Sequence, residues 1–269
     1  MVLFEPQPYE YFQGTAQSVR LTAFKQKWQL LRAFEIDYVC CLRFNHRLVS
    51  MSAEDFAEQL IFSKLQVKTL LIGEDFRFGA GRTGDIALLK KIANSVGADL
   101  DVYGDVCFEA TRISSTAIRA LLQHGQAQNA AKLLGRAYRM QGRVVVGQQL
   151  GRTFGVPTAN IALKQTALPM TGVFCVQVRL NNGLIYQGVA NIGRRPTVDG
   201  LNNCLEVHLF DFEGDLYHQY LDVFFLHQLR EEVKFPSLEA LIAQIKADIV
   251  EARALLPRLI EAFPVRIIS

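Results

Sequence analysis

Cys204-Leu205-Glu206-Val207-His208-Leu209-Phe210 alternates without a break. Leu205, Val207 and Leu209 face one way, and Cys204, Glu206 and His208 face the other, the two-residue period of a strand with one buried face. Working outward, further short β-rich runs stand at 141–146, 172–180, 184–192 and 219–226, and the run just quoted extends over 204–212. Asn181-Asn182-Gly183 joins two of them in the manner of a tight hairpin turn. Several short strands punctuated by turn residues predict a small barrel or sandwich in the C-terminal half. After Pro236-Ser237, the residues Leu238, Leu241, Ile242, Ile245, Ile249 and Ala252 trace one face of a long terminal helix.

The N-terminal half has a different rhythm. Leu21, Phe24, Leu31 and Phe34 recur at helical spacing, which predicts a helix over roughly 20–34. Tyr38-Val39-Cys40-Cys41-Leu42 reads as a strand, and Ser52-Ala53-Glu54-Asp55 opens a helix running to about Leu65. Thr69-Leu70-Leu71-Ile72 is a second strand, followed by a Gly-rich loop over 73–84, a helix over 85–96 and a strand near 100–103. Strand and helix in alternation predict a parallel α/β sheet. Residues 114–135 read as two short helices broken at Gly125. The expected division is therefore a first domain over 1–125, a linker over 126–137 and a second domain over 138–269.

Bulk composition narrows the chemistry. A net charge of +3 over 269 residues is too mild to point to nucleic acid and suits an anionic small molecule as well. The five cysteines, Cys40, Cys41, Cys107, Cys175 and Cys204, contain no Cys-x-x-Cys spacing, which fits free thiols in a reducing cytoplasm. The opening Met1-Val2-Leu3-Phe4-Glu5-Pro6 does not read as a signal peptide. No stretch reaches the roughly 18 uninterrupted apolar residues of a membrane span, so no membrane partner is expected.

The densest chemical string is Gly142-x4-Gly147-x3-Gly151-Arg152-x2-Gly155-x-Pro157-Thr158-Ala159-Asn160. Glycines let a backbone approach phosphates with its N–H groups turned inward, and Arg152 adds a cation. Thr158 and Asn160 are two apart, so in an extended segment both oxygens face the same way and suit a Mg²⁺ that keeps its remaining places for water and phosphate. Glycines alone are equally a plain turn; the whole string is more specific. Glu206, opposite the apolar face of its strand, is placed to take a proton from an alcohol, although a strand glutamate is more often simply solvated.

Gly155-Val156-Pro157-Thr158-Ala159-Asn160-Ile161 resembles the signature of riboflavin kinases. Gly188-Val189-Ala190-Asn191-Ile192-Gly193-Arg194-Arg195-Pro196-Thr197, Glu206-Val207-His208-Leu209-Phe210-Asp211-Phe212 with Asp215-Leu216-Tyr217, and Leu229-Arg230-Glu231-Glu232-x-Lys234-Phe235-x-Ser237 resemble the blocks that follow it. The resemblance covers 137–255 in order. It implies a six-stranded β-barrel with a C-terminal helix. It implies ATP phosphates and Mg²⁺ held by Thr158 and Asn160, with Gly147, Gly151, Arg152 and Gly155 in the ATP-binding segment. The resemblance also implies that Glu206 is the base acting on the ribityl 5′-hydroxyl and that Arg230 and Phe235 lie near the flavin.

In the first half, Gly73-Glu74-Asp75-Phe76-Arg77-Phe78-Gly79-Ala80-Gly81-x2-Gly84-Asp85 follows a strand and precedes a helix, a place suited to nucleotide binding. Arg112-Ile113-Ser114-Ser115-Thr116-Ala117-Ile118-Arg119 brings hydroxyls and a cation to a helix start, where backbone N–H groups attract anions but where a serine cap with a surface arginine is an equal reading. Together with Phe4-Glu5-Pro6-Gln7-Pro8, Arg20-Leu21-Thr22, Lys27 and Ser52-Ala53-Glu54-x-Phe56, these resemble the FMN adenylyltransferase domain of bifunctional bacterial FAD synthetases. That domain implies an incomplete Rossmann-like nucleotidyltransferase fold with Asp75, Arg77, Ser114, Ser115 and Arg119 as site remnants. The family's Gly-x-Phe-Asp-Gly-x-His-x-Gly-His loop is not among these 269 residues, whose histidines (46, 124, 208, 218, 227) include no pair three apart. The expectation is therefore FMN synthesis with impaired FAD synthesis, an N-terminally truncated first domain, and a sheet with exposed apolar surface. The rival readings are a non-catalytic flavin or nucleotide sensor and, last, a nucleic-acid-binding barrel.

Overall fold

The computed structural model describes residues 1–14, 19–147, 151, 155–163, 167–197 and 200–264, with the backbone alone at 194–197 and 200–202. Two compact units emerge, one from Met1–Thr15 and Asp37–Arg112, the other from Ala16–Ile36 and Ile113–Ser269.

In the first unit, β1 (Val2–Glu5) pairs in parallel with β2 (Cys40–Arg43), and β3 (Thr69–Gly73) pairs in parallel with β4 (Asp99–Tyr103). A short antiparallel hairpin, β5 (Cys107–Phe108) and β6 (Thr111–Arg112), follows. Between β3 and β4 runs the helix Ile86–Ser95, opened by the Asp85 carboxylate, which accepts from Leu88 N–H at 2.9 Å. A second helical stretch, Ala53–Asp55 continuing with wider turns over Phe56–Lys64, starts at Ser52, whose hydroxyl accepts from Asp55 N–H at 3.0 Å. Its Phe56, Ala57, Ile61 and Phe62 bury with Ile72, Phe78, Leu89 and Ile92 in one core. The α/β expectation thus appears as two separate parallel pairs. Leu71, Val102 and Tyr103 on β3 and β4 stand exposed.

In the second unit, six antiparallel strands close a barrel: β7 (Tyr138–Val145), β8 (Ala159–Ala162), β9 (Gly172–Arg179), β10 (Ile185–Thr197), β11 (Gly200–Leu209) and β12 (Tyr220–Arg230). Their order around the barrel is β10-β11-β8-β7-β12-β9, with β9 returning to β10. Closure leaves no sheet edge to protect. The Leu180–Leu184 hairpin is tied by Leu180 N–H to Leu184 O at 2.9 Å, with Gly183 at φ +86° where a side chain would be strained. One strand is absent from the runs read in the sequence. From Ala159 the Pro157-Thr158-Ala159-Asn160 segment is strand β8, paired on both sides. Only Ile161 of this strand is fully buried, so the strand carries almost no apolar pattern to reveal it.

The barrel interior holds Val144, Ile161, Phe174, Val176, Ala190, Ile192, Leu205, Val207, Leu221, Val223 and Phe225. The helix Leu238–Ala262, here α8, starts at Ser237 and lays Ala252, Leu256 and Leu259 on the outer side of the barrel against Cys175, Val189, Phe210, Phe224 and Leu226. β9 is therefore buried on both faces, which is why its Gly172-Val173-Phe174-Cys175-Val176 reads as a continuous apolar run. Among the described residues no helix is long and apolar enough to cross a membrane.

Candidate functional site

The site grows from the register of three adjacent strands. Asn160 on β8 lies opposite Glu206 on β11, and Glu206 lies opposite Asn191 on β10. Side chains of directly opposed residues share a face, with Cβ atoms ~4.5–5.5 Å apart. Asn160, Glu206 and Asn191 thus form a polar row on the outer side of the barrel, because their neighbours Ile161, Leu205, Val207, Ala190 and Ile192 take the interior.

This row borders a cavity of about 300 Å³ between the barrel wall, the segment after β12 and the first turns of α8. One side is polar, formed by Thr158, Asn160, Asn191, Glu206, His208 and Glu232. The other is apolar, formed by Val156, Val173, Val189, Val233, Phe235 and the α8 residues Leu238, Leu241, Ile242 and Ile245. A mostly apolar cleft with a few convergent polar groups is the usual form of a small-molecule site.

Four of these polar groups are backed by neighbouring residues. His208 Nδ1–H donates to Pro157 O at 2.9 Å, tying the start of the Thr158 segment to β11. A carbonyl only accepts, so this contact fixes the imidazole tautomer. Gly147 sits where any Cβ would run into the Asn160 amide, so a glycine there lets that amide pack on the backbone. Gly193 likewise leaves room for the Glu232 carboxylate. The Asn191 amide donates to Glu232, whose carboxyl is pushed above the usual glutamate range by burial, opposed by that hydrogen bond and by the Arg230 charge.

Arg230 closes the other end. Two register shifts in β12, between Phe225 and His227 and between Gln228 and Arg230, break its alternation and re-aim its last residues. Arg230 Nε donates to both Asp248 oxygens at 3.0 and 3.1 Å, and Nη2 donates to Oδ2 at 2.9 Å. Gln244 Nε2 donates to Asp248 Oδ1 at 2.8 Å. The guanidinium carbon stands 5.4 Å from the centre of the Phe235 ring, within cation–π range.

Thr158 and Asn160 offer hard neutral oxygens next to a carboxylate. No group of three or more His, Cys, Asp or Glu side chains able to hold a metal occurs among the described residues. That donor set suits a cation that arrives already bound to phosphates.

A riboflavin kinase family model matches residues 134–256, and an FAD synthetase family model matches residues 1–117. The chain is 44% identical over 254 residues to the bifunctional riboflavin kinase/FMN adenylyltransferase of Haemophilus influenzae, spanning 94% of this chain and 82% of that protein. It is 43% identical over 253 residues to the Escherichia coli K12 protein of the same name, spanning 94% and 81%. This chain belongs to the bifunctional riboflavin kinase/FMN adenylyltransferase family. Among solved structures, that of a macrolide-efflux protein from Streptococcus pneumoniae superposes with a TM-score of 0.81 at 28% identity, over 94% of this chain and 82% of that one.

For a member of this family, the sequence-derived residues fall as follows. Gly151, Thr158, Asn160, Glu206, Arg230 and Phe235 line the cavity described above. Gly147 backs Asn160, and Gly155 is an exposed turn residue at φ +75°. Arg152 lies outside the described residues. Asp75, in the first unit, pairs with Arg112 at 3.0 Å, and Arg77 Nη1 donates to Phe76 O at 2.9 Å. Ser114, Ser115 and Arg119 belong to the second unit. Ser114 caps the helix Ser115–Gln123 by accepting from Ala117 N–H at 3.1 Å, and Arg119 Nε donates to Val19 O at 2.7 Å.

Sequence reasoning gave no role to Asn191, His208, Glu232 or Asp248. Asn191 and His208 were reachable through strand alternation. Asp248 was reachable as a carboxylate interrupting the apolar stripe of α8, where a fully buried charge needs a partner.

Proposed function

We propose that the second unit transfers the γ-phosphoryl group of ATP to the ribityl 5′-hydroxyl of riboflavin, giving FMN and ADP. The observation that carries this reading is the direct opposition of Glu206 and Asn160 across β11 and β8, with Thr158 on the same cavity. Phosphoryl transfer is mainly a matter of positioning and charge stabilisation, with one group to receive the alcohol proton. Glu206 is that group. Thr158 and Asn160 hold the Mg²⁺ that comes with the nucleotide, with Gly147, Gly151, Gly155 and Arg152 belonging to the phosphate-binding segment. Bound there, the metal would neutralise charge on the transferred phosphoryl. Arg230 and Phe235, on the apolar side, receive the flavin ring.

The division of labour follows the two family models: the kinase step belongs to the barrel, and FMN adenylylation to FAD belongs to the segment matched by the FAD synthetase model, residues 1–117, with Asp75 and Arg77 as its candidate residues in the first unit. The substrates are riboflavin, FMN and ATP, and the compartment proposed is the cytoplasm. A non-catalytic sensor finds no support in the comparisons, whose curated relatives are named as enzymes. Incubation with riboflavin and Mg-ATP, followed by chromatography, is expected to show FMN. A yield no higher than a protein-free blank would remove the kinase assignment.

A further inference from the structure

Asn191 Oδ1 is buried and has no hydrogen-bond partner among the described residues. A buried acceptor left unpaired carries the full desolvation cost of its group, so its persistence calls for a reason. The amide cannot relieve this by turning over. Its Nδ2 donates to the Glu232 carboxylate, which only accepts, so a flip would set oxygen against oxygen. Gly193, two residues along the same strand, keeps the Glu232 carboxylate in place because any side chain there would displace it. Asn191 is thus held with its oxygen fixed, and the residue directly opposite on β11 is Glu206.

We infer that Asn191 Oδ1 is the acceptor for the proton that Glu206 carries after taking it from the substrate hydroxyl. This rests on the kinase reading above. In the step, the alcohol O–H bond breaks and its proton passes to a Glu206 carboxylate oxygen. The alcohol oxygen's electron pair forms the new bond to the γ-phosphorus, and the bond from that phosphorus to the β–γ bridging oxygen breaks, releasing ADP. The new carboxyl O–H then donates to Asn191 Oδ1. Before the step an ionised carboxylate has no proton to give, which accounts for the acceptor being unpaired. An interaction gained only as the proton moves lowers the barrier without tightening ground-state binding. Asn191 is a positioning residue here, acting through Glu206, and Glu232 fixes its orientation.

The test splits chemistry from binding. Asn191→Leu keeps the volume and removes the acceptor. It is expected to lower the single-turnover rate of FMN formation by about tenfold, the size of one lost hydrogen bond. Riboflavin affinity, read by flavin fluorescence quenching, should stay within about twofold. The solvent deuterium isotope effect on that rate should rise. Asn191→Asp alone sets a second carboxylate against Glu232 and should be slow. Adding Glu232→Gln restores a donor–acceptor pair with the acceptor still facing Glu206, and should recover most of the rate. An Asn191→Leu protein that turns over like wild type, or that loses only flavin affinity with an unchanged isotope effect, overturns the inference. If Asn191→Leu does not fold, the Asp and Gln pair decides: a double variant no faster than Asn191→Asp alone overturns it. Wild-type protein that makes no FMN would instead bring down the kinase reading itself.

Discussion

Asp248, in the middle of α8, grips Arg230 at the end of β12 through three contacts of 2.9–3.1 Å while remaining almost wholly buried. This pair fastens the helix that roofs the cavity to the strand that ends in it. Removing one partner of a buried ion pair leaves the other charge uncompensated, at a cost of about 3 kcal/mol. Asp248→Ala is expected to lose roughly that much in urea denaturation. It should also raise the KM for riboflavin, since Arg230 then no longer has a fixed place over Phe235. A variant with wild-type stability and wild-type KM would show that the pair neither anchors α8 nor shapes the flavin side.

Glu206 and Asn160 face each other, yet their substitutions should separate cleanly. Glu206→Gln is nearly isosteric and removes only the proposed proton acceptor. Turnover is expected to fall at least ~100-fold, the lower range for loss of a general base, with riboflavin binding retained. Asn160→Leu removes the oxygen proposed to face the metal and should appear mainly as a higher KM for Mg-ATP, partly recovered at raised Mg²⁺. Steady-state kinetics with each substrate varied in turn distinguishes the two. Unchanged turnover in Glu206→Gln would take that carboxylate out of the mechanism.

Glu232 makes a pH-dependent prediction. Burial raises its carboxyl above the ordinary glutamate value in the folded protein, so the folded state holds its proton more tightly than the unfolded chain does. Its ionisation therefore works against folding. The contribution is most favourable below the ordinary glutamate value and declines as pH rises from there through the raised folded value. Glu232→Gln does not ionise and lacks this decline. Urea midpoints across that window should show wild type losing stability relative to Glu232→Gln as pH increases. Parallel curves for the two proteins would mean that the carboxyl is not shifted upward.

Much of this architecture was legible from local pattern. The Cys204–Phe210 alternation became β11 with Leu205 and Val207 inside, and the stripe from Leu238 to Ala252 became α8 starting at Ser237, its cap. β8 escaped notice because its four residues, Ala159-Asn160-Ile161-Ala162, include a single large apolar side chain, Ile161, too few to show a period. The pairing of Arg230 with Asp248 was also hidden, since it joins residues 18 apart in different elements and depends on two bulges in β12 that no periodicity announces. Asn191 and Glu232 lay inside recognised blocks, but the contact between them arises only when the segment after β12 folds over Gly193. Registers and bulges are set by tertiary pairing, so residues that work through them surface only in three dimensions.

Gly147 offers the sharpest local test of the phosphate side. Its backbone does not occupy the left-handed region, so alanine is conformationally acceptable there, and the consequence of Gly147→Ala is steric alone. The added methyl meets Nδ2, Cγ and Oδ1 of Asn160 together, and the amide must move. Because Gly147 lies outside the barrel strands, the fold should tolerate the change with little loss in thermal stability. If Asn160 supplies a metal ligand, its displacement should raise the KM for Mg-ATP about tenfold, comparable to loss of one good polar contact, while riboflavin affinity is unaffected. A Gly147→Ala protein with ordinary Mg-ATP kinetics would mean that the Asn160 amide can shift without consequence, and Asn160 would then have no part in holding the nucleotide's metal.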